Sequence, residues 1–488
     1  RAFTANVKRN RSNCARFSWS WRCTSVCGGA PLASSEVPPS AGAPPGADPP
    51  RELRAYRPGP FEVLEGCQLQ AALRAGSLRL VRGSYFERRA AEGLPWQRRQ
   101  EIDDAECWPP EEAAALWARL GSAFLLAFSY SWLTREHPDP ELWHLKRLAR
   151  VIREWRAAAA APQFLERLRP KGGSGAGGAA KAADAGGAAP DGGGFDVGVF
   201  VDFCCFHQKP GGGPAKEDES YHACMEVMGL LYGHEHTAVI RCTSVPGITD
   251  KKYFHRGWTA FESCVAGNKS CPDDKIYEFG DLFNPDSEPL MKGSFLRKYK
   301  QRQLPPVSYE RFAELLRQLD EEVKTLRVPY NRLFTQAEDR GFAMSKFREA
   351  WEEQRQVREL DYKSMGWEDK DARLLASLLP SFSNLETLHL TGNRIGDDGA
   401  EAVLSALSDS RLGSLDLSDN RIGKAGALAM AAALPSAPRL SCLYAFANPL
   451  CAEESARWQL ATAWKAAGKA TEHLVLDHFA LSHKGPKP

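Results

Sequence analysis

The sequence gives little to several obvious readings. Its charge is nearly balanced: 63 Lys and Arg against 61 Asp and Glu leave a formal +2. That removes the electrostatic case for nucleic acid as the main partner. Lys8, Arg9, Arg11, Arg16 and Arg22 do gather near the start, in a short Ser- and Cys-rich segment that reads as a solvated tail. The run that invites a membrane reading, Ala113 to Leu133 with Arg119 as its one charge, is interrupted by Gly121-Ser122. It reads as the end of a helix followed by a strand over 123–130, so no membrane span is expected.

Thirteen cysteines over 488 residues do not make a small disulfide framework, and adjacent Cys204-Cys205 suits a reducing compartment. A cytoplasmic protein is expected. The Cys and His residues between Cys204 and Cys271 contain no Cys-x-x-Cys and no His-x-x-x-His, so buried structural thiols are expected and no metal. The Gly-rich stretch Gly172–Gly194 is not a phosphate loop, because no Gly-Lys-Ser/Thr follows and it opens no helix. The chain opens on Arg1 rather than Met, which suits a fragment or a translated leader; the missing signal peptide then carries no weight.

What is present falls into segments. Residues 1–60 carry Pro and Gly clusters with little periodicity, and disorder is expected. Residues 61–122 read as an N-terminal extension, with a helical piece at Cys67–Ala75, a strand at Leu78–Val81 and a helix at Glu111–Leu120. The run from Arg98 to Asp104 reads as a solvated face. Over 123–290, apolar runs and amphipathic stretches alternate: strand Phe124–Tyr130, helix Glu141–Arg156, strand from Val199, helix Glu217–Tyr232, strand Thr237–Cys242, and an edge strand at Ile276–Leu282. This order predicts an α/β domain with a mostly parallel sheet, interrupted by a flexible insertion at 172–194. Residues 291–357 read as a helical connector.

The last third, 358–480, is a repeat array. Leu385-x-x-Leu388-x-Leu390-x-x-Asn393 recurs at Leu412 to Asn420 and again, with Ala445 in one slot, at Leu440 to Asn448. Asn393, Asn420 and Asn448 would satisfy backbone groups at the turn while the leucines fill one continuous core. This is the leucine-rich repeat pattern, and its period resembles the ribonuclease-inhibitor class, a strand/helix solenoid. A degenerate earlier repeat is expected at Asp361–Leu379. Such an array presents a row of exposed strand side chains, so a protein partner is expected there.

Four motifs of the α/β segment occur in order. Ser129-Tyr130-Ser131-Trp132 closes one strand, and Asp202, Cys205 and Gln208 follow the next. Met228, Leu231 and Tyr232 end a helix, and Arg256, Trp258, Thr259 and Glu262 open another. Together they resemble a heterokaryon-incompatibility (HET) domain, a relative of the TIR fold. The resemblance covers residues 124 to 262. The family has Gly after the first Trp where this chain has Leu133, and the insertion at 172–194 is extra. TIR domains of plants are similar at the last motif, and there the Glu cleaves the nicotinamide–ribose bond of NAD. The resemblance therefore implies Glu262 as a catalytic candidate, with NAD as substrate rather than cofactor. Trp132 or Trp258 would stack on a ring, Asp202 or Gln208 would bind ribose or amide, and Arg256 would line the same cleft.

One carboxylate beside the ribose can stabilise an oxocarbenium-like state without a metal. The structural alternative pairs Glu262 with Arg256 and uses Asp202 to cap a helix. A nucleophilic Cys205–His255 pair is a further enzymatic option. The HET/TIR resemblance also fits an assembly module, so two functions stand side by side. One is a recognition and signalling protein whose α/β domain self-associates; the other is an NAD glycohydrolase with an exposed Glu262.

Overall fold

Among the described residues, ten short strands pair into two five-stranded sheets, and helices fill the connections. The computed structural model describes residues 61–62, 66–168, 195–207, 215–247, 252–287, 294–300, 303–326, 332–408 and 410–477. Residues 1–60, the insertion at 172–194 and Gln208 lie outside them. No helix of the described residues is long and apolar enough to cross a membrane.

The first sheet holds β1 (Val81–Arg82), β2 (Leu125–Tyr130), β3 (Gly198–Phe200), β4 (Ala238–Cys242) and β5 (Ile276–Glu278), in the order β1-β3-β2-β4-β5. All pairs are parallel except β1 with β3. The chain steps from β2 to β3 on one side, then returns past β2 to β4 on the other. Right-handed crossovers in opposite directions put helix Trp143–Ala159 on one face and helices Met228–Gly233 and Gly257–Gly267 on the other. β2 is therefore covered on both sides, which is why its apolar run is unbroken and all six of its residues are buried. The strand order reverses at β2, the position where open α/β sheets form ligand crevices at the carboxyl ends of their strands.

Several elements depart from the sequence reading. β3 is short because Cys204 and Cys205 donate their N–H groups back to the Val201 carbonyl at 2.9 and 2.8 Å. The chain turns there into a single helical turn, Asp202–Cys205. The expected helix Glu217–Tyr232 is two helices, Ala215–Glu226 and Met228–Gly233, because Val227 donates to Cys224, three residues back, and tightens the turn. The edge strand stops at Glu278, and Leu282 is fully out in solvent. The run from Arg98 to Asp104 is not a solvated face throughout: Arg99 is buried, and its guanidinium donates to the carbonyls of Gly76, Ser77 and Cys205 at 2.7–2.8 Å. Sequence shows the charges there but not the carbonyls that receive them.

The second sheet is wholly parallel and runs in sequence order: β6 (Glu359–Asp361), β7 (Thr387–His389), β8 (Ser414–Asp416), β9 (Cys442–Tyr444) and β10 (Leu474–Val475). The central leucines Leu360, Leu388, Leu415 and Leu443 are buried in one register. Helices Asp369–Leu378, Asp397–Ser405, Lys424–Ala433 and Glu454–Ala466 pack each on the next. Asn side chains tie successive units together. Asn393 donates to Tyr362 and Leu390 and accepts from Trp367 N–H. Asn420 does the same for Leu390, Leu417 and Ile395, and Asn448 for Leu417, Ala445 and Ile422. A second ladder uses acids: Asp369 accepts from Gly396 and Gly399 N–H, and Asp397 from Gly423 N–H, so each unit caps the next unit's helix. Gly399 is small for this reason, since a Cβ there would meet Asp369 Oδ1 at 2.6 Å.

Helices Tyr309–Thr325 and Ala337–Gln354 pack on helix Gly257–Gly267, with Phe312 and Phe347 stacked at 4.0 Å and both touching Phe261. The second sheet is tied to the preceding part of the chain through loops: Asp361 N–H donates to the Ser270 carbonyl at 2.8 Å, and Trp367 Nε1 to the Gln303 carbonyl at 2.6 Å.

Candidate functional site

Two places merit attention, and the first is the carboxyl end of β2. Ser129 and Ser131 point to the face of helix Gly257–Gly267, while Tyr130 points to the other face. Ser129 Oγ donates to Glu262 Oε2 and lies 2.5 Å from the Tyr253 hydroxyl, which reaches Ser263 Oγ at 3.1 Å. On the opposite face, Tyr130 OH and Trp132 Nε1 donate to the two oxygens of Asp202 at 2.5 and 2.9 Å. The Phe203 N–H adds a third donor at 2.7 Å. Arg256 Nη2 donates to the Trp132 carbonyl at 2.7 Å.

The structure therefore brings Trp132, Asp202, Arg256 and Glu262 to one region, as the motif order implies. Trp258 goes elsewhere. Its indole donates to Asp339 at 3.3 Å and packs edge-on against Phe261 and Phe334. Trp258 and Glu262, four apart, lie on one side of their helix, but different elements hold them: Asp339 and Phe334 take the indole and Ser129 the carboxyl. Gly257 lets this helix start under Phe334, whose ring carbons would lie 2.1–2.4 Å from an added Cβ.

Glu262 is not an exposed residue. It is 8% accessible, and burial pushes its carboxyl well above the usual carboxylate range, with the neighbouring charge of Asp202 adding to the shift. It is held by Ser129 and Tyr232 rather than by Arg256. Burial also raises Asp202, though its three donors pull the other way. Those donors occupy both oxygens, which makes Asp202 a clip between β2 and the turn after β3. Arg256 is lowered by burial, and its Nε has no hydrogen-bond partner among the described residues. Cys205 and His255 do not form a nucleophilic pair. The Cys205 thiol donates weakly to the Val199 carbonyl and is pushed up to about 12 by burial, whereas His255 faces Glu322 at 3.2 Å. Among the described residues, no group of His, Cys, Asp and Glu is arranged to hold a metal.

Tyr253 and His144 were missed by the sequence reading. His144 is fully buried, bridges the Ser131 carbonyl at 2.8 Å and Cys242 Sγ at 3.3 Å, and is lowered to about 3 by burial. A helical His beside a strand end carries no pattern that would have marked it. Tyr253 lies in a short turn ahead of the motif that starts at Arg256, where nothing in the spacing singles it out.

The second place is the open face of the second sheet. On each side of the buried leucines the strand residues are partly exposed. Glu359, Thr387, Ser414 and Cys442 form one row, and Asp361, His389, Asp416 and Tyr444 the next. His389 links the rows, with Nε2 3.4 Å from Glu359 and Nδ1 4.0 Å from Asp416. Burial pushes the Asp416 carboxyl up, but the facing His389 imidazole and the Ser418 backbone N–H more than reverse this and hold it below its usual value.

A leucine-rich repeat family model matches residues 383–404 and 412–431, the segments that carry β7, β8 and the helix after each. No HET or TIR match accompanies it. No curated protein matches the chain. The family model thus finds leucine-rich repeats near the C-terminus.

Proposed function

We propose that this chain is an intracellular recognition protein: its leucine-rich repeats, a short solenoid, bind a protein partner, and its HET/TIR-like α/β region acts by self-association. The observation that carries the reading is the pair of strand rows on the second sheet. Eight partly exposed side chains stand in register on a backbone whose turns are tied by Asn393, Asn420 and Asn448. Such a surface is already ordered before a partner arrives, so little entropy is lost there on binding. The four-strand order β3-β2-β4-β5, with its reversal at β2, agrees with a doubly wound, TIR-like sheet.

The test is quantitative capture of bound proteins from cells by the full chain and by Asp416→Arg and Tyr444→Ala variants of unchanged circular dichroism. Proteins bound by the wild type and lost from both variants support the reading. An unchanged bound set rejects it.

A second reading, hydrolysis of NAD at the nicotinamide–ribose bond, is favoured by one observation. Two carboxyls lie close enough for the Asp202 charge to raise Glu262, at the point where the strand order reverses. In this reading Glu262 is the acidic group beside the ribose, and Trp132 and Arg256 border it. NAD loss by the purified chain that disappears in Glu262→Gln supports hydrolysis. No turnover at any protein concentration rejects it.

A further inference from the structure

The chemistry of the strand rows is one-sided. Glu359, Asp361 and Asp416 bring three carboxylates to the face, while Lys363 is the ammonium beside them, 3.2 Å from Asp361. His389 sits between Glu359 and Asp416, and Tyr444 lies directly across from Asp416 in the register of β8 with β9. Three carboxylates against one ammonium leave the face net negative, which a cationic ligand complements. A half-exposed phenol ring beside a carboxylate is also a favourable seat for an ammonium or guanidinium group, which gains from both.

The spacing narrows the choice further. Adjacent strands lie about 4.8 Å apart, so Asp361 on β6 and Asp416 on β8 are separated by roughly 10 Å, and Tyr444 lies about 5 Å beyond Asp416. A polyproline-type segment advances about 3.1 Å per residue with three residues per turn, which puts residues i and i+3 on one side about 9 Å apart. From this we infer that the strand face binds an extended, basic segment of a partner protein with Lys or Arg three residues apart. One cation sits between Asp416 and Tyr444, and the other at Asp361 and Glu359. The inference rests on the recognition reading above and gives that partner its chemistry.

The test uses the full chain and three fluorescein-labelled peptides on a Pro background. One carries two Arg three residues apart, one carries them two apart, and one has Glu at both positions of the first. Binding is followed by fluorescence polarisation at low and moderate salt. The three-apart Arg peptide is expected to bind most tightly and to weaken as salt rises. Asp361→Asn combined with Asp416→Asn should weaken it about three- to tenfold, Tyr444→Leu about threefold, and the remote Lys370→Ala not at all. Equal binding of the Glu peptide, or affinity indifferent to the face substitutions in folded protein, overturns the inference. Loss of cellular partners from Asp416→Arg and Tyr444→Ala without any basic-peptide binding would overturn this inference alone. If partner capture is also insensitive to the face, the recognition reading falls with it.

Discussion

Replacing Asn420 by Ala removes one side chain that joins two repeat units. Its Nδ2 donates to the Leu390 and Leu417 carbonyls at 2.9 and 3.0 Å, and its Oδ1 accepts from Ile395 N–H at 3.0 Å. The two carbonyls keep other donors, Asn393 for Leu390 and Asn448 for Leu417. Ile395 N–H loses the side-chain acceptor that Asn420 supplies. The cost is therefore that of one orphaned buried donor, about 1–3 kcal/mol, plus two lost amide bonds worth about 1 kcal/mol in total after compensation, near 3 kcal/mol overall. Asn420→Asp keeps the acceptor for Ile395 but turns a carboxylate toward two carbonyl oxygens, so at neutral pH it should cost at least as much. Urea unfolding followed by circular dichroism gives the magnitude, and hydrogen exchange of the peptide containing Ile395 gives the location. A cost below about 1 kcal/mol, or unchanged protection around Ile395, would refute the ladder as a source of stability.

Two further outcomes follow from the first sheet. Burial raises Glu262 in the folded state, so its contribution to stability is present below the ordinary Glu value near 4.3 and is lost as pH rises through the folded value. Glu262→Gln should therefore gain on the wild type from about pH 5 upward, as read from urea midpoints across pH; a pH-independent difference contradicts the buried protonated carboxyl. Gly257→Ala must push Phe334 aside and should cost about 1–3 kcal/mol. Thermal unfolding checks this, and Phe334→Ala in the same chain should recover part of the loss.

The repeat array was legible because its chemistry is periodic. Each Asn slot carries its partners one unit away, so counting along the sequence finds both the strand and the turn. β2 and β4 were legible for a similar reason, as short apolar runs covered on both faces. The site was legible only in part. Motif order brought Trp132, Asp202, Arg256 and Glu262 together, but it could not show that Asp202 is occupied by Tyr130 and Trp132 or that Glu262 is buried on Ser129. Trp258 and Glu262 lie on one side of their helix, yet Asp339 and Phe334 hold the indole while Ser129 holds the carboxyl, partners that the motif does not reveal. Arg99 and Val227 were misread because a charge run and an amphipathic stretch do not reveal distant carbonyls or a tightened turn.

The central claim is that partners are recognised on the strand face of the repeats. A photo-reactive side chain placed at Ser414, on the rows, and separately at Lys370, on the helix side, tests it directly in cells. The account predicts discrete cross-linked products from position 414 and none in common from position 370. The same products from both positions, or from 370 alone, would contradict it.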